Sequence, residues 1–161
     1  MKNRFKYIGV FFFAGLVLLS CKDDDNGIGP KTAEQLATES LAGPDGSQTW
    51  TVANGGTVTK DGSSETANYA NFELRFIANN TGRSYTTSGG GMLFDASGNW
   101  NLEGDNFDKI ILAGNQPAAN KEISFTRNQD NLRLEFTISA PENSRVMALA
   151  GYYIFDLKLK Q

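Results

Sequence analysis

The side chains able to do chemistry in this chain are few, and their scarcity excludes whole classes of reaction. Histidine is absent and Cys21 is the only cysteine among 161 residues. Neither a Ser-His-Asp nor a Cys-His nucleophile can therefore be assembled, and His- or Cys-based zinc sites fall away with them. What remains is carboxylate chemistry. Asp95, Glu103, Asp105 and Asp108 crowd the segment around Trp100, and two carboxyls held about 5 to 10 Å apart would serve as acid and base across a sugar. Nothing in the spacing fixes such a separation, and Glu103-Gly104-Asp105-Asn106 reads as a solvated turn. No catalytic residue and no enzyme activity are assigned. No Asp-x-Asp-x-Asp-Gly calcium loop occurs, and Gly89-Gly90-Gly91 is followed by neither Lys-Ser nor Lys-Thr, so it is no phosphate loop. No metal and no cofactor are expected.

Flat rings offer a second kind of chemistry, the stacking of a sugar or another cyclic ligand. Trp50, Trp100 and Tyr152 are the candidate ligand-binding residues on this ground. Each has a competing structural role, Trp50 above all, whose ring can close the base of a barrel while its indole N–H finds a carbonyl. Tyr152 and Tyr153 are adjacent, and adjacent residues of a strand face opposite ways, so only one of the pair can join a core.

Cys21 needs an account of its own, because a lone cysteine forms no intramolecular disulfide. Ahead of it, Lys2, Arg4 and Lys6 form a basic stretch and residues 8–19 an apolar run. A helix of about a dozen residues covers about 18 Å, short of a bilayer core of about 30 Å, which argues for a processed signal over a permanent span. Leu18-Leu19-Ser20-Cys21 resembles the lipobox of bacterial lipoproteins, with leucine three before the cysteine and a small residue directly before it. The resemblance implies that residues 1–20 are a signal peptide and that Cys21 becomes the first mature residue, acylated with palmitate-type chains. Several chains on one residue, at about 0.8 kcal/mol per buried CH₂, hold a membrane firmly.

Residues 21–30 carry Lys22-Asp23-Asp24-Asp25-Asn26-Gly27, a charged and glycine-bearing stretch that reads as a flexible acidic tether. The lysine and aspartates directly after the cysteine resemble the export signal of Bacteroidetes surface lipoproteins, which implies the outer leaflet of the outer membrane and exposure at the cell surface. Formal charge is −3 for the whole chain and −6 once the three basic signal residues are gone, with the remaining cations scattered singly. Nucleic acid and anionic lipid surfaces are poor partners for such a surface.

The elements that must position these residues occupy 31–161, one domain of ordinary size. Thr32-Ala33-Glu34-Gln35 reads as a capping box that opens a short helix through Leu41, closed by Gly43 and Pro44. Beyond Trp50 helical periodicity vanishes and β signals recur about every ten residues, with Gly, Asn and Asp between them. The clearest strand, 131–139, points Leu132, Leu134, Phe136 and Ile138 one way and Arg133, Glu135 and Thr137 the other, with 121–127 as its hairpin partner. Residues 71–78 and 84–87 form a second hairpin, and Trp100 and Leu102 alternate with polar neighbours after the loop at 95–98. The register of 107–112 is open, because Ile110, Ile111 and Leu112 are consecutive. Tyr153, Phe155, Leu157 and Leu159 share a face of the last strand, and Gly151 is expected to mark a bend joining 146–150 to 152–159 in one long strand. Eight or so antiparallel strands with one wet face each must close or stack. An up-and-down barrel is the expectation, with a β-sandwich as the alternative.

Leu41-Ala42-Gly43, Ser47-Gln48-Thr49-Trp50 and Gly98-Asn99-Trp100-Asn101-Leu102 together resemble the lipocalin-like domain of Bacteroidetes surface lipoproteins. The resemblance covers most of the mature chain and implies a small, lipid-anchored barrel with a tryptophan on its first strand. Pro44 to Thr49, inserted between Gly43 and Trp50, departs from the Gly-x-Trp of true lipocalins. The inward positions are almost all Phe, Leu, Ile and Trp, so a largely filled interior is expected, with binding at the rim or outer face. The functional expectation is a non-enzymatic binding or interaction module whose ligand is a small apolar molecule or a glycan. A structural or assembly protein with a surface protein partner is the alternative, and a carbohydrate-active enzyme trails both.

Overall fold

In the computed structural model, residues 29–140 and 148–161 are described. The signal stretch, Cys21, most of the tether, and Val146 and Met147 lie outside the described residues.

Helix α1 (Ala33–Ala42) begins where its cap dictates. The Gln35 N–H donates to Thr32 Oγ1 at 3.1 Å while the Thr32 N–H donates to Gln35 Oε1 at 2.8 Å, so two orphan donors of the first turn are satisfied reciprocally. Gly43 ends it at φ 72°, a left-handed conformation that favours glycine, and a Cβ there would overlap the Gln48 side chain.

Among the described residues ten strands follow: β1 (Ser47–Thr51), β2 (Thr57–Lys60), β3 (Ser63–Ser64), β4 (Glu73–Asn79), β5 (Gly82–Ser88), β6 (Ser97–Glu103), β7 (Lys109–Leu112), β8 (Glu122–Asn128), β9 (Asn131–Ile138) and β10 (Gly151–Leu159), all paired antiparallel. From β4 to β10 each strand pairs with the next, an up-and-down meander. The sheet then closes on itself, because β1 pairs with β4 on one side and with β10 on the other, placing Trp50 opposite Leu159 and Thr51 opposite Lys158. Lys160 extends that seam by donating its N–H to the Thr49 carbonyl at 2.9 Å. Closure of β1, β4–β10 into eight strands is the lipocalin-like barrel expected, and the sandwich alternative falls with it.

Two features depart from the simple meander. The short β2–β3 hairpin hangs on the upper part of β10, with Val58 opposite Phe155, so β10 is shared between β1 and β2. The bend expected at Gly151 is instead a strand start: Ala148 and Leu149 form a 3₁₀ turn and β10 begins at Gly151. The open register of β7 resolves with Ile110 and Leu112 inward and Ile111 half-buried outside.

The interior is packed with side chains. Trp50, Trp100, Phe72, Phe76, Phe155, Leu74, Leu132, Leu134 and Leu157 are fully buried on the inward faces. Hairpin parity puts the β4–β5, β6–β7 and β8–β9 turns at one end, and α1 packs beneath it. At the other end the loop between β5 and β6 turns Leu93 and Phe94 inward, and the 3₁₀ turn Thr66–Tyr69 adds Tyr69. Phe94 lies 5.0 Å from Phe72, 5.5 Å from Phe155 and 5.7 Å from Phe136, ring centre to ring centre, and Tyr153 stacks on Phe136 at 5.5 Å. Such aromatic contacts contribute about 0.5 to 1.5 kcal/mol each beyond burial, and here they seal the end.

Candidate functional site

Trp50 and Trp100 arise from β1 and β6 and point into the barrel above α1. Both are 0 % exposed. The Trp50 indole N–H donates to the Leu41 carbonyl at 2.8 Å and that of Trp100 to the Ile77 carbonyl at 3.1 Å. An arginine covers each ring, Arg127 over Trp50 at 5.1 Å and Arg83 over Trp100 at 5.2 Å. A stacking platform needs an open ring face, and neither tryptophan presents one.

The two arginines were not among the candidate residues, and each ties α1 to the barrel. Arg127 donates from Nη1 to the Glu39 and Ser40 carbonyls at 3.1 and 3.2 Å, in the last turn of the helix, where Glu39 O also accepts the closing Gly43 N–H at 2.9 Å. Arg83 donates from Nη2 to Glu34 Oε1 at 2.6 Å and to Thr38 Oγ1 at 3.0 Å. A signal existed: Arg127 continues the inward parity of Ile123 and Phe125, and Arg83 that of Tyr85. A charge in the inward register at a strand end marks a barrel mouth that something polar must close.

Tyr152 stands apart on the outer face of β10, 41 % exposed, while Tyr153 is buried. Its hydroxyl donates to Glu135 Oε1 at 2.9 Å, and its backbone N–H donates to Asp61 Oδ1 at 2.8 Å. Beside it Arg133 grips Asp156 with two hydrogen bonds of 2.7 and 3.0 Å. The three aromatic candidates are thus not brought together.

Nor are the carboxylates. Asp95 precedes β6, Glu103 ends it and Asp105 and Asp108 follow it, so the length of the strand separates Asp95 from the other three, about 20 Å at 3.3 Å per residue. Asp95 is also spoken for, accepting the N–H groups of Asn115 at 3.0 Å and Gln116 at 2.8 Å. Glu103, Asp105 and Asp108 are exposed on the β6–β7 turn. Burial and the Asp95 charge push the Tyr85 hydroxyl up to about 12, and burial, followed by neighbouring Tyr69, pushes that of Tyr153 to about 12. Both hydroxyls donate to carbonyls, Ala113 at 2.9 Å and Leu149 at 3.0 Å, and stay protonated at neutral pH.

A sizeable concavity lies outside the barrel. An open groove of about 1060 Å³ runs between α1, the β4–β5 turn and the middle of β6, comparable to the upper end of ligand sites, about 300 to 1,000 Å³. Its charges cancel in pairs, Lys31 with Glu39 at 2.6 Å and Arg83 with Glu34 at 2.6 Å. Its wall carries the exposed carboxamides of Asn80, Asn99 and Asn101. Trp100, under Arg83, lies at its floor. A smaller cleft of about 400 Å³ lies near the C-terminus, beside Arg75 and Lys160.

Fold and site together define a small closed antiparallel barrel of lipocalin-like type, with a filled interior, a helix fixed under one end and a groove of mixed polarity beside that helix. No family model, curated protein or solved structure matches the chain.

Proposed function

We propose that this chain is a bacterial lipoprotein of the Bacteroidetes surface type, anchored in the outer membrane through acylated Cys21, whose barrel is a non-enzymatic binding or interaction module displayed at the cell surface. The observation that carries the binding half of this reading is the contrast between a barrel packed with side chains and a sizeable groove of mixed polarity outside it. A filled barrel has no cup for an apolar guest, so recognition belongs to the exterior. The anchoring half rests on the signal-like first twenty residues, the lone cysteine and the acidic tether. The groove opens beside Gly29 and Lys31, where the tether joins the domain.

A second reading has its own support. The outer face of β9 and β10 displays Tyr152, Glu135, Arg133 and Asp156 in a fixed hydrogen-bonded array, which suits a structural or assembly role with a surface protein partner. The carbohydrate-active enzyme trails both, since its carboxylates sit at opposite ends of β6.

Replacing Cys21 with alanine tests the anchor. The expected result is loss of the protein from the membrane fraction and loss of cleavage by protease added to intact cells. Unchanged fractionation of the Cys21→Ala chain would sink the lipoprotein assignment.

A further inference from the structure

We propose that the groove beside α1 is a binding site for a neutral oligosaccharide, held chiefly by the carboxamides of Asn80, Asn99 and Asn101. This rests on the reading of the domain as a binding module and names the ligand class of its groove.

The four charged residues that line the groove are already paired, Lys31 with Glu39 and Arg83 with Glu34, so an anionic or cationic ligand finds no uncompensated partner on its walls. The lining mixes polar and apolar surface in about equal parts, so a wholly apolar ligand would leave its polar half dehydrated and unpaired. An uncharged molecule dense in groups that both donate and accept is what remains, and sugar hydroxyls are such groups. A carboxamide matches them, with two N–H donors and a carbonyl acceptor on one planar unit. The side chains of Asn80, Asn99 and Asn101 make no hydrogen bond to another described residue, whereas Asn79 Oδ1 is occupied by the Thr81 N–H at 2.9 Å. Asn99 and Asn101 alternate with inward Trp100 on β6, so both project from the same outer face. Strand periodicity spaces them about 7 Å apart, a separation that engages two points along an extended chain of sugars.

The site is also held in place. Arg83 lies over the Trp100 ring and binds Glu34 and Thr38 of α1, fixing one wall to the other. A preformed groove spends less binding energy on ordering its walls.

The test uses the full-length chain in detergent micelles and three sets of probes: neutral hexose oligomers (maltoheptaose, cellohexaose, laminarihexaose, mannohexaose), a neutral Ser/Asn/Gly peptide, and palmitate. Binding is followed through the side-chain NH₂ resonances of the asparagines and by calorimetry. An oligosaccharide is expected to shift the Asn80, Asn99 and Asn101 signals. The Asn99→Ala/Asn101→Ala double variant, whose two side chains are exposed and whose unchanged melting temperature checks folding, is expected to bind about tenfold more weakly. Equal affinity in wild type and double variant overturns the site. Shifts with peptide or palmitate alone overturn the glycan assignment while leaving a binding module in place. Silence from all three sets overturns both.

Discussion

The buried hydroxyls of Tyr85 and Tyr153 report on the interior one residue at a time. Each would lose solvation on ionising, and Tyr85 would in addition place a negative charge near Asp95. Their folded-state values of about 12 lie above the ordinary 10, so between those limits the unfolded chain binds fewer protons than the native one. The stability they contribute is fully present below pH 10 and is lost as pH rises through 12. A spectrophotometric titration at 295 nm should show Tyr85 and Tyr153 silent until close to pH 12 or until the chain unfolds. Reversible ionisation of every tyrosine near pH 10 in a folded chain would mean that the interior is wet. Trp50 and Trp100 make the same point by packing: each satisfies its one polar atom on a carbonyl and gives the rest of its ring to the core.

Among elements, α1 docks through buried Leu41 and Ala42 and through two arginines of the barrel. Arg127 joins it to the barrel through two helix carbonyls and the Trp50 ring, so Arg127→Ala should cost about 2 kcal/mol. Urea denaturation measures the loss, and faster hydrogen exchange confined to α1 amides assigns it to the helix. Arg127→Lys should recover only part, since an ammonium lacks the planar fork. Much of this element order was legible beforehand. The capping box announced α1, and strict alternation announced β4, β6, β8, β9 and β10 because each has one wet face. β2 escaped notice since Thr57-Val58-Thr59-Lys60 offers a single apolar residue, and its partner is the distant β10. The supposed long strand through Gly151 failed for a related reason: apolar residues before a glycine do not say whether the backbone stays extended, and Ala148 and Leu149 adopt a 3₁₀ turn. Asn80, Asn99 and Asn101 were invisible as a site, because their meeting depends on where α1 docks. Gly98 is intelligible only in the fold, where a Cβ would overlap the Ala113 carbonyl of the neighbouring strand and crowd the Tyr85 ring.

At the scale of the whole molecule, an eight-stranded barrel stands at the size where its interior can be filled by side chains or hold one small ligand. This chain fills it from both ends, with the two tryptophans above α1 and the cluster of Phe72, Phe94, Phe136, Tyr153 and Phe155 at the opposite mouth. The barrel is thereby a rigid support, and recognition is left to its outside. The most direct test of that claim uses the only two tryptophans in the sequence, both inside, as reporters of entry. A brominated fatty acid, which quenches indole fluorescence on contact, would be titrated into the chain lacking its signal and carrying Cys21→Ala. No saturable quenching is the result expected of a filled barrel, whereas saturable quenching of either tryptophan would show that a ligand enters the interior.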